Sequence, residues 1–90
     1  MPISKGFYFY ILKCRDGTLY CGSAKNLAAR QAAHNAGRGS AYVRSRGGGR
    51  IVYFEKFRSW GRALSREAAV KKFSRSQKLK LVKSRRAAKV

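Results

Sequence analysis

Acidic residues are scarce in this sequence, and so are histidine, cysteine and long apolar runs. The 90 residues include three Asp and Glu against 22 Lys and Arg, one histidine and two cysteines. A two-metal nuclease needs several converging carboxylates, and Asp16 in a turn, Glu55 in a strand and Glu67 in a helix are unsuited to supply them together. One histidine without a CxxC pair argues against a structural zinc site. No apolar run approaches the roughly 18 residues of a spanning helix.

The excess of positive charge predicts a polyanionic partner. A net charge of +19 on a single 90-residue domain exceeds what solubility requires. Nucleic acid is the leading candidate, and a membrane surface is the rival. The apolar run from Phe7 to Leu12 is too short for a signal peptide and lacks a small-residue cleavage site, so we expect a cytoplasmic protein that does not enter the membrane.

A β-hairpin turning at Asp16-Gly17 is the strongest local signal, because aromatic-rich apolar runs flank this dipeptide. A two-residue turn would place Tyr10 and Tyr20 on opposite faces. A three-residue loop, with Gly17 in the left-handed conformation of a bulge, would instead pair Tyr10 with Gly22 and place both tyrosines on one face. The sequence alone permits both registers.

The second register makes one face of the hairpin phenolic and the other apolar. The phenolic face carries Tyr8, Tyr10 and Tyr20, with Gly22 leaving room for a ligand, and the apolar face carries Phe7, Phe9 and Ile11. This register also places Cys14 and Cys21 on opposite faces, where they cannot form a disulfide. We therefore expect two free thiols.

The remaining patterns predict a third strand and three helices. The predicted elements are a helix over Leu27–Ala36 between the N-cap Asn26 and Gly37, a mobile basic loop over Gly37–Arg50 with one helical turn, a central strand over Ile51–Phe57, a helix over about Arg62–Lys72, and a last helix from a capping box at Ser74 through about Val82. The fold class is α+β, with a small three-stranded antiparallel sheet flanked by about three helices. Residues 1–82 form one domain and residues 83–90 a basic, disordered tail.

Paired motifs in the hairpin resemble those of a known enzyme family. Tyr8-Phe9-Tyr10 followed by Tyr20-Cys21-Gly22 resembles the motifs of the GIY-YIG nuclease superfamily, in particular its short single-domain bacterial branch, which is similar to the UvrC N-terminal cleavage domain. KNLAARQAAHNAG looks like the family's first helix, and SREAAVKKFSRSQKLKLV looks like its metal-carboxylate helix and the segment that follows. Tyr8 replaces the first motif's glycine, and Cys21 replaces the second motif's isoleucine.

This resemblance implies a metal-dependent DNA endonuclease with one Mg²⁺, for which Mn²⁺ can substitute, held by Glu67. The catalytic residues that it implies are Tyr10, Tyr20, Arg30, His34 and Glu67. Tyr10 is the first choice for the base with His34 as a relay, Tyr20 orients water or phosphate, and Arg30 clamps the scissile phosphate. The family's C-terminal asparagine is not evident, since Gln77 and Lys78 occupy that neighbourhood.

Each of these residues also has a simpler interpretation. Arg30 is then one solvated cation among many, and His34 is a histidine at a helix end, near the C-terminal dipole. Glu67 then forms an i,i+4 ion pair with Lys71 on the helix surface. The alternative function is accordingly a non-catalytic DNA- or RNA-binding protein on the same fold.

Flexible cations outside the catalytic set are candidates for contacting the phosphate backbone, for which fixed geometry is not required. These nucleic-acid-binding candidates are Lys25, Arg38, Arg44, Arg46 and Arg50. The alternative interpretation of the basic loop, which contains most of these residues, is a connector that only increases solubility. DNA is favoured over RNA by the resemblance, and stand-alone members of the family lack targeting domains, so a protein partner is expected to supply targeting. The sequence does not determine the oligomeric state.

Overall fold

Three strands and four helices make up the described part of the chain, residues 6–84 of a computed structural model. In chain order they are β1 (Phe7–Cys14), β2 (Leu19–Ala24), α1 (Leu27–Asn35), α2 (Ala41–Ser45), β3 (Gly49–Phe57), α3 (Trp60–Lys71) and α4 (Arg75–Ser84). The strands form one antiparallel sheet in the order β2-β1-β3, which confirms the predicted α+β fold. Residues 1–5 and most of the predicted tail, residues 85–90, lie outside the described residues.

The hairpin adopts the three-residue loop of the two registers that the sequence permitted. Tyr10 lies opposite Gly22, the Cys14 N–H donates to the Thr18 carbonyl at 2.8 Å, and Gly17 has a φ of 89°. Oδ1 of Asp16 accepts hydrogen bonds from the backbone N–H and the hydroxyl of Thr18, which stabilises the turn. The tyrosines therefore share one face of the sheet, as this register predicts.

The prediction that the third strand is central in the sheet is wrong. β1 is the central strand and β3 is an edge strand. Side-chain amides of α1 form hydrogen bonds with backbone groups on the outer edge of β3. The Asn35 amide donates to the Gly49 carbonyl and accepts from the Gly49 N–H, and the Ile51 N–H donates to Gln31 Oε1 at 2.7 Å. The apolar run in β3 arises because helices cover both faces of the sheet, and it does not require a strand on each side.

Both faces of the sheet are buried, so neither face is the open phenolic surface that the register suggested. α1 and α2 cover one face, where the buried set is Tyr8, Tyr10, Leu12, Cys14, Ala24, Leu27, Val43 and Ile51. α3 and α4 cover the other, where the buried set is Phe9, Ile11, Cys21, Tyr53 and Val70. The two cysteines are free thiols on opposite faces.

Local capping signals account for the helix boundaries. Asn26 caps α1, and Ser74 and Gln77 form the reciprocal hydrogen bonds of a capping box before α4, as predicted. Ser59 caps α3, which consequently begins at Trp60 and not near Arg62. Within residues 6–84, no helix is long and apolar enough to cross a membrane.

Candidate active site

A buried hydrogen bond joins the Tyr10 hydroxyl on β1 to His34 Nε2 on α1 at 2.8 Å. The backbone N–H of Ser40 donates to His34 Nδ1 at 3.4 Å, so Nδ1 is the acceptor and the neutral ring carries its proton on Nε2. Burial lowers the pKa of His34, and the charge of Arg30 lowers it further. His34 is therefore neutral at pH 7 and donates to Tyr10 Oη.

Opposing effects act on the ionisation of Tyr10, which is 1% exposed. Burial raises the pKa of its hydroxyl, and the charges of Tyr20 and Glu67 also raise it. The guanidinium of Arg30 lowers the pKa through its charge and through side-chain hydrogen bonding. With protein groups alone, burial outweighs Arg30 and the phenol stays protonated.

Gly22 on β2 determines where the Tyr10 hydroxyl lies. A side-chain carbon at position 22 would collide with the Tyr10 hydroxyl and ring. The Tyr10 ring thus extends from the central strand across Gly22 of the edge strand. The space that the sequence suggested for a ligand at Gly22 is filled by Tyr10, which is a correction to that prediction.

Aromatic rings continue from this pair toward the surface. The Tyr20 ring packs edge-on against His34 with centroids 5.5 Å apart and stacks on Tyr42 of α2 at 5.9 Å. The guanidinium carbon of Arg46 lies 4.2 Å from the centre of the Tyr42 ring. Tyr42 was not among the predicted site residues, although it lies within the predicted basic loop over Gly37–Arg50.

Each carboxylate oxygen of Glu67 on α3 contacts a different side chain. The Ser23 hydroxyl donates to Oε1 at 2.6 Å, and the Lys71 ammonium lies 2.8 Å from Oε2. The i,i+4 pair that the sequence offered as the simpler interpretation is therefore present. Ser23 is a site residue that sequence reasoning missed, and its position directly after the second motif was the available signal.

The candidate site lies on both sides of edge strand β2. Tyr10 pairs with Gly22, whereas Ser23 pairs with Phe9, so Ser23 and Glu67 lie on the α3 side of the sheet and Tyr10 on the α1 side. The charge of Glu67 nevertheless acts on the pKa of Tyr10. Tyr10, Tyr20, Arg30 and His34 are thus grouped on one face, and Glu67 lies on the other face, bonded to Ser23 of β2.

The donor set fits a single Mg²⁺ better than a metal cluster. No three His, Cys, Asp or Glu side chains gather into a metal-binding group in the described part of the chain. Mg²⁺ retains several waters and is commonly bound through one carboxylate together with substrate phosphate. The ammonium of Lys71 shows that a cation has room beside Glu67 Oε2.

The predicted nucleic-acid-binding cations do not form one patch. Lys25 follows β2 and lines a cleft together with Arg30. Arg50 pairs with Lys13 at the opposite end of the sheet. Arg46 contacts Tyr42 and, at 3.7 Å, the Asp16 carboxylate, while Arg38 and Arg44 are exposed. The side chain and backbone N–H of Gln77, near the expected asparagine position, form the α4 capping box with Ser74.

Comparison with known proteins identifies the family of this chain. Residues 6–80 match the profile of the GIY-YIG catalytic domain. A UPF0213 protein of Clostridium perfringens is 50% identical over 78 residues, covering 87% of this chain and 84% of the relative. A UPF0213 protein of Staphylococcus haemolyticus is 47% identical over 78 residues, covering 87% and 95%.

Solved structures show the same fold. The solution NMR structure of the protein EF2693 from E. faecalis has a TM-score of 0.61 at 37% identity, covering 93% of this chain and 90% of that one. The solution NMR structure of the UPF0213 protein BH0048 from Bacillus halodurans has a TM-score of 0.57 at 38% identity, covering 89% and 85%. With the family profile matching most of the chain, this protein belongs to the GIY-YIG catalytic-domain family, which supports a nuclease-type function on nucleic acid.

Proposed function

We propose that this protein is a Mg²⁺-dependent DNA endonuclease that acts in the cytoplasm. The observation that carries the proposal is the buried hydrogen bond between Tyr10 and His34 at 2.8 Å, beside Arg30 and across one strand from Glu67. A tyrosine hydroxyl held by a neutral histidine and a guanidinium is oriented for proton transfer from an attacking water.

In this proposal, side chains of the protein bind the scissile phosphate, orient the attacking water and accept its proton. Arg30 binds the scissile phosphate, and Tyr20, half-buried beside Tyr10, orients the water or phosphate. His34 carries its proton on Nε2, which favours a positioning role for it over the relay considered from sequence. Glu67 would hold Mg²⁺, which supplies positive charge to neutralise the leaving oxygen and to favour deprotonation of Tyr10.

Two observations favour the second function, a nucleic-acid-binding protein without turnover. Both oxygens of Glu67 have protein partners, and burial raises the pKa of the Tyr10 hydroxyl. A metal ion must displace Lys71, and the phenol must lose a proton, before the endonuclease mechanism operates. A protein that binds without cleaving requires neither change.

A cleavage assay distinguishes the two functions. Single-stranded, duplex, flapped and branched DNA are incubated with Mg²⁺ and the wild type, Glu67→Ala or Tyr10→Phe, with matching RNA substrates in parallel. We expect both variants to lose metal-dependent cleavage by at least about 100-fold while retaining DNA affinity. Tyr53→Phe is the matched control, because Tyr53 is equally buried on the opposite face.

Cleavage that survives both Glu67→Ala and Tyr10→Phe rejects the catalytic assignment. Wild-type protein that binds DNA yet cleaves no more than the Glu67→Ala preparation selects the non-catalytic function. Preferential cleavage of the RNA substrates overturns the choice of DNA.

A further inference from the structure

Trp60, the single tryptophan of the chain, is 37% exposed at the first residue of α3. The Phe7 ring packs beside the indole, with the two ring centroids 6.0 Å apart. The Lys25 ammonium in turn lies 5.8 Å from the centre of the Phe7 ring. An exposed indole thus stands among a second aromatic ring and a cation, and the proposed cleavage chemistry uses none of the three.

Two adjoining clefts meet beside these residues. A cleft of about 390 Å³ is lined by Trp60, Lys25 and Arg30, the proposed phosphate clamp. A second cleft, of about 770 Å³, is lined by Lys25, Phe7, Phe57, Lys56 and Arg58. Lys25 lines both clefts, so together they mark a path from Arg30 past Trp60 toward Arg58. We call this path the Trp60 groove.

Cationic groups along an aromatic floor match one kind of ligand closely. The basic residues of the Trp60 groove offer charge to successive phosphates, and no acidic residue lines either cleft in the described part of the chain. Exposed aromatic faces stack on nucleobases without regard to sequence. A duplex hides the faces of its bases within the helical stack, whereas a single strand presents them.

We propose that the Trp60 groove binds a single-stranded segment that flanks the phosphate held by Arg30, with one base stacked on the Trp60 indole. The inference rests on the proposed function in that Arg30 marks where the cleaved strand lies. It adds a substrate class: nucleic acid that is single-stranded next to the cleavage position, such as a flap or an unpaired end.

The intrinsic fluorescence of Trp60 reports on this contact directly. Wild-type protein in EDTA is titrated with a 12-nucleotide oligodeoxythymidylate and, separately, with an abasic oligomer of equal phosphate number. We expect the base-bearing oligomer to quench the emission and the abasic oligomer to leave it nearly unchanged. Equal quenching by both, or no quenching by either, overturns the proposal.

Substitutions separate stacking from general electrostatics. Trp60→Leu should weaken binding of the single strand at least about five-fold, the lower end of what stacking one base contributes, and leave duplex affinity unchanged. Trp60→Phe should retain most of the affinity, because it keeps an aromatic face. Lys25→Gln should weaken binding more than Lys13→Gln, which removes the same charge at the other end of the sheet. Wild-type affinity in Trp60→Leu overturns the proposal.

Failure of this inference and failure of the proposed function give different results. The binding measurements contain no metal, so a base-dependent effect of Trp60 stands even if no cleavage is found. The converse result is that Glu67→Ala abolishes Mg²⁺-dependent cleavage while Trp60 shows no fluorescence response and Trp60→Leu binds normally. That result supports the nuclease function and contradicts the proposed role of the Trp60 groove. A blue shift with phosphatidylglycerol vesicles, without any response to oligonucleotides, assigns the groove to a lipid surface and overturns the proposal.

Discussion

At the scale of single residues, Glu67 is the group on which the proposed metal-dependent function depends. Its side chain is 18% exposed and its partner Lys71 is 53% exposed, so the carboxylate is held in place by the Ser23 hydroxyl while the ammonium is free to move into solvent. The pairing raises the pKa of Lys71, which therefore stays charged. Lys71 and a metal ion held by Glu67 would compete for the same oxygen.

This competition predicts that Lys71→Met increases metal affinity. Exposed ion pairs contribute up to about 1 kcal/mol, so the dissociation constant for Mn²⁺ should fall by up to about five-fold. Mn²⁺ binding is measured by electron paramagnetic resonance of the free ion. Lys72→Met is the control, because it removes a neighbouring charge that does not pair with Glu67. Equal gains in the two variants would attribute the effect to net charge alone.

The pKa of His34 predicts how stability depends on pH. Because its folded pKa lies below the usual 6.5, the unfolded chain takes up a proton first as pH falls. The free energy of unfolding should therefore decrease below about pH 6.5, by at most about 1.4 kcal/mol per pH unit, until the folded pKa is reached. Urea denaturation between pH 7.5 and 5 measures this.

His34→Gln supplies the comparison, since His34 is the one histidine of the chain. The variant should be less stable at pH 7.5, because it lacks the buried hydrogen bond to Tyr10, but its stability should vary less over the same range. A pH dependence equal to that of the wild type would show that other groups cause it.

At the scale of elements, the edge strand β2 organises the site. It presents Tyr20 and Gly22 toward α1 and Ser23 toward Glu67 on α3. Alternation of side chains along a strand makes these adjacent residues serve opposite faces. Gly22 adds no side chain on the α1 face, and the Tyr10 ring lies there instead.

Gly22→Ala should therefore damage the site and the fold together. The new methyl group collides with the Tyr10 phenol, and we expect a loss of about 1–3 kcal/mol in the free energy of unfolding together with reduced cleavage. Gly61→Ala is the control, because no atom lies within 4 Å of its added carbon and it is in a helix, where alanine gains up to about 1 kcal/mol. Urea denaturation of the two variants tests the pair. An unchanged Gly22→Ala midpoint would contradict the packing described for Tyr10.

At the scale of the whole molecule, positive charge is spread over most of the surface. Exposed cations stand at both ends of the sheet, as Lys25 and Arg50 illustrate, and the three acidic residues are engaged by Arg46, Arg66 and Lys71. Three carboxylates against 22 Lys and Arg leave most of the positive field outside the protein uncancelled. Binding to nucleic acid should be dominated by phosphates and their counterions.

Affinity for duplex DNA should accordingly fall steeply with salt. If about six cations contact phosphates, the logarithm of the association constant should decrease with the logarithm of salt concentration with a slope of about −5. Fluorescence anisotropy between 50 and 300 mM NaCl measures the slope, and Lys25→Gln should make it shallower by about one. A slope near zero would rule out phosphate-dominated binding.

Local patterns in the sequence determined the elements and the choice of family. The hairpin, the caps at Asn26 and Ser74, the free thiols and the tyrosine motifs follow from residues close together in the chain, because turns and caps are short-range hydrogen-bonded structures. The net charge follows from composition alone, and with it the expectation of a polyanionic partner.

Only the tertiary structure decided which distant residues meet. Strand order decided that β1 is central and that the Tyr10 ring lies over Gly22. Packing of elements that are distant in the chain brought Ser23 to Glu67 and stacked Tyr42 on Tyr20. Short-range periodicity carries no information on strand order, since an apolar run suits any strand that helices cover on both faces. The Trp60 groove likewise arises only where the ends of three strands and the start of α3 come together.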